Sequence, residues 1–318
     1  MARAVILDAD TVTSGDVSLE PLTSLVETTV YGYTEQCEIK KNIGDAEIVL
    51  TNKCRITEEV FEACPNLKFI GLFATGYNNI EIDAAKRHGC VVANVPGYSS
   101  DAVAQHTFAL ILNHFSKIHE YSSYVQNGGW CKSKLFTHFD IPLNELSGKT
   151  IGIIGYGAIG RSVAKIALAF NMRVLVYTRT APNDCDGITV CGLSELLKNS
   201  DIVTLHCPLN DGTKELINVD TISMMKSTAL LVNTSRGGVI NENDLAEALK
   251  SGKISSAAID VLTEEPISPD CPLLGLPNCV ITPHVAWAPI ETRMRLIDLV
   301  AANIRAYLDG SPINNVAG

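Results

Sequence analysis

Two α/β domains, each built on a parallel sheet, are what this 318-residue chain predicts, and three observations carry the prediction. Short β-rich runs alternate with segments of helical spacing along most of the length, the rhythm of β-α-β crossovers. A G-x-G-x-x-G hexapeptide at 155–160 lies within that rhythm, closing one strand and opening a helix. The length, at roughly 150 residues per domain, is enough for about two cores.

In the first hundred residues strands are expected at 4–8, 28–32, 47–51, 67–73 and 91–94, with helical spacing at 57–63 and 80–88. A long helix follows at 101–124. The segment 125–148 has neither period and carries Trp130, Phe136 and Phe139 among Gly, Lys, Ser and Pro. Exposed aromatics on such an arm point to a subunit contact, so a homodimer through the 101–148 region is expected, the alternative being an ordinary packed loop. From Lys149 the rhythm resumes with strands at 150–155, 173–177, 201–206, 229–233, 255–260 and 279–282 and a helix at 158–170. Asn241 and Asp244 flank the start of a helix running to Lys250, and Gly252 is placed to stop it. Pro289 suits the first turn of a final helix that ends near Leu308. That helix follows the last strand of the second sheet and is expected to fold back on the first, so that residues 1–98 plus 289–318 make one domain and 99–288 the other.

Composition narrows the function classes. Hydrophobic residues are 46%, charged residues 19% and aromatics 6%, an aliphatic-rich globular chain rather than a disordered, fibrous or disulfide-stapled one. Thirty-five acidic against 25 basic residues give a net charge of -10, so no global field draws in phosphate backbones or anionic lipid. Nucleic acid and membrane are therefore not expected partners, and an anionic ligand must be captured by a few placed cations and backbone amides. Only four apolar residues separate Arg3 from Asp8, short of a signal-peptide core, and no run approaches the roughly 18 apolar residues of a membrane span, so a cytoplasmic location is expected. Ten cysteines show neither C-x-x-C pairing nor zinc-ligand spacing; they read as small buried hydrophobes, and no metal site is expected.

Each glycine of the hexapeptide has a physical task. Gly155 allows the tight turn, Gly157 lets a pyrophosphate approach the backbone, and Gly160 lets helix and strand pack closely. The amides of Ala158, Ile159 and Gly160 then face the diphosphate of a dinucleotide. The next strand, which in an NAD site ends on Asp or Glu for the ribose 2'-hydroxyl, here ends Val176-Tyr177-Thr178-Arg179-Thr180. Thr178 and Arg179 in place of an acid suit a 2'-phosphate, so NAD(P)(H) is the expected cofactor, with NADP(H) favoured over NAD(H).

Several segments together resemble the D-isomer-specific 2-hydroxyacid dehydrogenases, over essentially the whole chain. They are Ala74-Thr75-Gly76-Tyr77-Asn78-Asn79-Ile80, the glycine loop, His206-Cys207-Pro208-Leu209, Val232-Asn233-Thr234-Ser235-Arg236-Gly237, Asp260-Val261-Leu262-Thr263-Glu264-Glu265-Pro266 and Thr282-Pro283-His284-Val285-Ala286-Trp287. Residues 97–105 and 284–289 are most similar to the glycerate dehydrogenase or hydroxypyruvate reductase branch. The resemblance implies two Rossmann-like or flavodoxin-like domains with a cleft between them. It also implies hydride transfer between NAD(P)H and a small 2-keto acid, with hydroxypyruvate or glyoxylate the expected substrate.

Three positions match the family's catalytic residues, and each suits the chemistry. Arg236 offers a fixed fork of donors to hold the substrate carboxylate and polarise the ketone. His284 is the expected proton donor to the developing alkoxide, and Glu265 would bond the imidazole and favour its protonated form. The resemblance further implies that the amides of Thr75 and Gly76 bind the carboxylate, that Asn79 fixes their loop, and that Trp287 closes one side of the substrate pocket or packs in the core. Thr234 and Ser235 would line the ribose side, Cys207 and Pro208 the adenosine half, and Asp260 would accept a hydrogen bond from the nicotinamide amide. Gln105 stands where many members carry Glu. His88, His106, His114, His119, His138 and His206 are read as surface or packing residues. A nucleotide-sensing binding protein, as in corepressors on this fold, is the competing reading; a methyl-donor-dependent transferase would leave Arg236, Glu265 and His284 unexplained.

Overall fold

Short strands that are apolar on both faces need cover on both sides, and each half of this protein supplies it with helices. The computed structural model describes residues 2–180 and 186–318. They form two units, Met1–Ser99 with Trp287–Gly318, and Ser100–Ala286.

The first unit holds β1 (Arg3–Ile6), β2 (Glu27–Val30), β3 (Ile48–Thr51), β4 (Phe69–Leu72) and β5 (Val91–Ala93), all parallel, in the order β2-β1-β3-β4-β5. Alternation divides their side chains between two cores. Val5, Val49, Ile70 and Val92 pack toward α2 (Ile39–Ile43), α3 (Glu58–Ala63) and α4 (Ile82–Arg87). Ala4, Ile6, Ile48, Leu50 and Phe69 pack toward α1 (Glu20–Thr23) and the C-terminal helix, Ile290–Leu308, which contributes Leu296, Ile297, Val300 and Ile304. The last helix of the chain thus completes the first sheet. Its Arg293 grips Asp16 with both terminal nitrogens, at 2.8 and 2.6 Å, and Arg295 donates to the Tyr98 carbonyl at 2.8 Å.

The second unit begins with α5 (Ser100–Ser116) and α6 (Ile118–Gln126). Its sheet comprises β6 (Thr150–Ile154), β7 (Arg173–Tyr177), β8 (Ile188–Val190), β9 (Ile202–Leu205), β10 (Leu230–Asn233), β11 (Ser256–Ile259) and β12 (Cys279–Ile281), in the order β12-β11-β10-β9-β6-β7-β8. Each neighbouring pair is parallel. α5 and α7 (Ala158–Ala169) cover one face through Ile153, Val176, Ile202 and Val232. α8 (Leu193–Asn199), α9 (Val219–Ser223) and α10 (Glu242–Lys250) cover the other through Val203, Leu205, Leu231 and Ile259. Parallel pairing sends every strand's C-terminal end to one edge, and the winding reverses direction beside β6, which lies between β7 and β9.

Several elements differ from the expectation. The helix expected at 101–124 is two helices, because Lys117 takes a left-handed conformation (φ 50°) that ends the hydrogen-bond ladder where no Gly or Pro marks a stop. α1, α2, α8 and α9 have seven residues or fewer and β8 has three, too short for a period to emerge. Pro289 is the extended residue before the final helix rather than part of its first turn. Asn241 caps α10 by accepting from the Asp244 amide. Cys54, Cys64, Cys90 and Cys207 are buried as expected, whereas Cys37 and Cys131 are exposed and Cys185 lies outside the described residues.

The arm after α6 folds back on that helix. The Tyr121 hydroxyl donates to the Ile141 carbonyl at 2.7 Å, and His138 stacks on Tyr124 with centroids 3.9 Å apart. Trp130, Phe136 and Phe139 remain 50%, 90% and 77% exposed. Among the described residues no helix is long and apolar enough to cross a membrane.

Because Leu296 is fully buried against the first sheet, Leu296→Ala will destabilise the first unit by about 2–5 kcal/mol. Amide-exchange protection should fall in β1, β3 and β4 and persist in β6, β9 and β10; equal loss in both sheets would contradict this packing.

Candidate functional site

The functional side chains of the second unit stand where its parallel strands end. β6 runs into the glycine turn. Gly155 has φ +96°, and a Cβ there would meet the backbone of His206 and Cys207 at 2.6 Å. A Cβ on Gly160 would run into the Gly155 carbonyl, so this glycine sets the distance between α7 and β6. Gly157 is different: a Cβ would meet nothing within 4 Å, and no side chain caps the helix it precedes. The backbone is bare on the side where the Ala158, Ile159 and Gly160 amides begin the helix, which fits a diphosphate. Arg161 lies over the Tyr156 ring at 4.6 Å and adds a cation to the same turn.

At the end of β7, the Thr178 hydroxyl donates to the Thr180 carbonyl at 3.2 Å and Arg179 is exposed; no carboxylate stands at 177–180. At the end of β9, burial pushes the His206 imidazole down to about 3, leaving it neutral with Nε2 2.9 Å from the Thr204 hydroxyl. Burial likewise raises the Cys207 thiol, making it a wall rather than a nucleophile. Pro208 beside it is exposed, and its carbonyl accepts from Thr213.

The loop after β10 is folded by Asn233, a residue not singled out from the sequence. Its buried side chain accepts from the Ser235 amide (3.0 Å) and hydroxyl (2.8 Å) and donates to the Arg236 carbonyl (2.9 Å). Arg236 emerges exposed, with one N–H on the Ser235 carbonyl at 2.7 Å. A Cβ on Gly237 would strike the backbone of Leu262 and Thr263, so the arginine loop lies directly against the loop that bears Glu265. That second loop is fixed by Glu242, which accepts from the Thr263 amide at 2.6 Å.

Glu265 joins two strand ends. Oε1 accepts from the Leu262 amide at 3.0 Å, and Oε2 is 2.6 Å from Nδ1 of His284. His284 is in the left-handed region (φ 54°), a conformation that persists only where neighbours hold it. Asp260 does the holding. Its carbonyl accepts from the His284 amide at 2.8 Å, Oδ1 from the Val285 amide at 3.0 Å and Oδ2 from the Ala286 amide at 2.9 Å. The Thr282 hydroxyl donates to Oδ1 at 2.5 Å, and His106 Nε2 lies 3.4 Å from the same oxygen. Burial would raise the Asp260 carboxyl, but the bonds from His106, Thr282 and the two amides outweigh it and hold it below the usual range. The Asp260 side chain is 0% exposed, with Oδ1 taking the hydroxyl, one amide and the imidazole and Oδ2 the other amide. The Thr234 hydroxyl lies 3.0 Å from that of Thr107 on α5.

Thr75, Gly76, Asn79 and Trp287 belong to the first unit. Asn79 donates to the Cys54 carbonyl at 2.9 Å, and Asn94 to the Thr75 carbonyl at 2.7 Å, so the loop after β4 is tied at both ends. The loop that receives Asn79 is itself organised by buried Asp8, which accepts from the amides of Asn52, Lys53 and Cys54. Trp287 packs edge-on to Tyr98 at 6.4 Å, against the core shared with the final helix.

Together the strand ends of the second unit offer an imidazole with one nitrogen fixed to a carboxylate, an exposed guanidinium, and a bare glycine turn at a helix start. The chain is similar to known proteins over nearly its whole length. The family described as D-isomer specific 2-hydroxyacid dehydrogenase, NAD binding domain, matches residues 108–286. A hydroxypyruvate reductase of Blautia hydrogenotrophica is 42% identical over 319 residues, covering 99% of each chain. A glycerate dehydrogenase of Methylorubrum extorquens is 39% identical, covering 88% of each. The structure of an NADPH-dependent glyoxylate/hydroxypyruvate reductase from Sinorhizobium meliloti superposes with a TM-score of 0.86 at 28% identity, covering 100% of this chain and 98% of that one.

Two glycines should respond differently to one methyl group. Gly157→Ala will keep the melting temperature yet weaken NADPH binding, measured by fluorescence titration, by about tenfold or more, since the Cβ enters space reserved for ligand. Gly160→Ala will lower the melting temperature itself, because its Cβ meets fixed backbone. Matching behaviour of the two variants would contradict this division.

Proposed function

This chain belongs to the D-isomer-specific 2-hydroxyacid dehydrogenases, and from that premise we propose that it reduces hydroxypyruvate or glyoxylate to the matching 2-hydroxy acid, with NADPH preferred over NADH. It is an NAD(P)-dependent oxidoreductase. The observation that carries the proposed chemistry is the 2.6 Å bond between Glu265 and His284.

Reduction of a 2-keto acid adds a hydride to the ketone carbon and a proton to its oxygen. The reduced nicotinamide, when bound, supplies the hydride. The proton falls to His284: with Nδ1 held on Glu265, the ring is oriented and Nε2 is left to donate. Arg236 binds the substrate carboxylate and polarises the ketone, its exposed fork having spent one N–H on Ser235. The amides of Thr75 and Gly76 are assigned to the same carboxylate, with Asn79 holding their loop. In the oxidation direction His284 takes the hydroxyl proton back.

Thr178 and Arg179 support the preference for NADPH, since an acid at this strand end would repel a 2'-phosphate and a guanidinium attracts it. The exposed aromatics Trp130, Phe136 and Phe139 support a homodimer through the arm.

A panel of 2-keto acids, followed by loss of reduced-nicotinamide absorbance with each cofactor, tests the assignment; no turnover on hydroxypyruvate, glyoxylate, pyruvate or longer analogues would sink it. His284→Ala is expected to lower kcat by about 10²- to 10⁴-fold while leaving cofactor affinity within about twofold. Equal loss of both would make the histidine structural. Thr178→Asp should move the ratio of specificity constants toward NADH, and an unchanged ratio would mean that this strand end does not read the 2'-phosphate.

A further inference from the structure

The buried carboxylate that holds the His284 turn is reached from behind by α5. There His106 Nε2 lies 3.1 Å from the Thr282 hydroxyl and 3.4 Å from Asp260 Oδ1. The direction of these bonds follows from what each group is able to do. An ionised carboxylate only accepts, so the Thr282 proton is committed to Asp260 across 2.5 Å. The Thr282 oxygen must then accept from His106, and Nε2 carries a hydrogen directed at both oxygens. His106 is the one imidazole of the second unit connected in this way to the turn that presents His284, among the described residues.

We propose that His106 is a positioning residue for the proton donor, acting through Thr282 and Asp260 on the conformation of His284. The inference rests on the reading of His284 as the acid. Asp260 holds three successive amides, that of His284 through its main-chain carbonyl and those of Val285 and Ala286 through Oδ1 and Oδ2, so the two residues after His284 depend on the carboxylate. The Thr282 hydroxyl and the His106 imidazole add a second pair of donors at Oδ1, beside those two amides, and restrain the carboxylate further. Without the His106 donor, the Thr282 hydroxyl oxygen loses its partner, and a buried charged group loses part of its solvation. The turn then has less reason to keep a left-handed histidine, and the imidazole drifts from the line of proton transfer. α5 suits the task, being a 17-residue helix anchored by buried Val103, Thr107, Phe108 and Ile111.

The test uses the full chain with His106→Leu, which fills space without donating, and His106→Gln, whose amide nitrogen reaches about as far as Nε2. Thr282→Val interrupts the same relay should the leucine variant fail to fold. His106→Leu, or Thr282→Val in its place, is expected to lower kcat by roughly ten- to hundredfold, with NADPH Kd by fluorescence and substrate KM within about threefold. His106→Gln should recover most of the lost kcat. A kcat of wild-type size in His106→Leu, a glutamine variant no better than leucine, or a kcat loss matched by loss of NADPH affinity would overturn the proposal. A parallel His284→Asn variant separates the two ideas: if it stays fully active the acid assignment fails, whereas if it is inactive and His106→Leu is normal, only the positioning role fails.

Discussion

One carboxylate determines how the reactive edge of the second sheet is presented. Asp260 sits at the end of β11, and it binds the backbone that emerges from the neighbouring strand β12 at three consecutive N–H groups. Three amides pointing at one residue require a chain that turns sharply, and the turn is what places His284 in the left-handed region. The direction of its imidazole is therefore set by a residue that never touches it. Glu265 adds the second constraint, rotating the ring through Nδ1, and it reaches the ring because Gly237 and Glu242 press its loop against the arginine loop. If Asp260 were free to rotate, Glu265 would hold a ring attached to a wandering backbone.

The sheet explains why these residues meet at all. Residues 155, 178, 206, 236, 260 and 284 span more than a hundred positions, yet each follows a strand of one parallel sheet, so all emerge at its C-terminal edge. β10, β11 and β12 are adjacent, which puts the chemistry of Arg236, Glu265 and His284 at one end of the sheet order. β6, beside the reversal of winding, carries the glycine turn. Strands buried on both faces are rigid supports, and the loops they carry are held by strand-end side chains such as Asn233 and Asp260 rather than by loop packing.

What was legible in the sequence follows from the same physics. Aliphatic strands, the glycine hexapeptide and the cap at Asn241 act locally, so their spacing reveals them before any contact is known. Arg236, Glu265 and His284 stood out because the segments that carry them resemble those of a known family, and the reaction chemistry then suits each residue type. His106, Thr107, Asn233 and Thr282 did not, since a lone histidine or threonine in a helix or beside a strand has many ordinary reasons to be there. Their significance is pairwise, as in the Thr282 bond to a carboxylate 22 positions away. The break at Lys117 was hidden for a related reason: its left-handed backbone involves a residue type that carries no signal for it. Asp260 is the instructive intermediate case. Its position at a strand end was plain, and the resemblance implied an acceptor for the cofactor, but its bonds to Thr282, Val285, Ala286 and His106 are visible only in three dimensions.

The same hydrogen bonds bear on how a chain of net charge -10 accommodates anionic ligands. Beyond a Debye length of about 8 Å, most of the protein's charges are screened, so the sign at the site depends on the few groups nearest to it. Two of the acids at this edge, Asp260 and Glu265, are each matched by donors: amides, a hydroxyl and His106 for the first, an amide and His284 for the second. The cations are less encumbered. Arg236 and Arg179 are exposed, Arg161 rests on an aromatic ring rather than on a carboxylate, and the start of α7 has no side-chain cap. Internal hydrogen bonds thus occupy these acids with donors of the protein's own, while the guanidinium groups and helix amides stay open to a ligand. Capture of an anion at this edge therefore rests on a few placed donors rather than on an excess of basic residues.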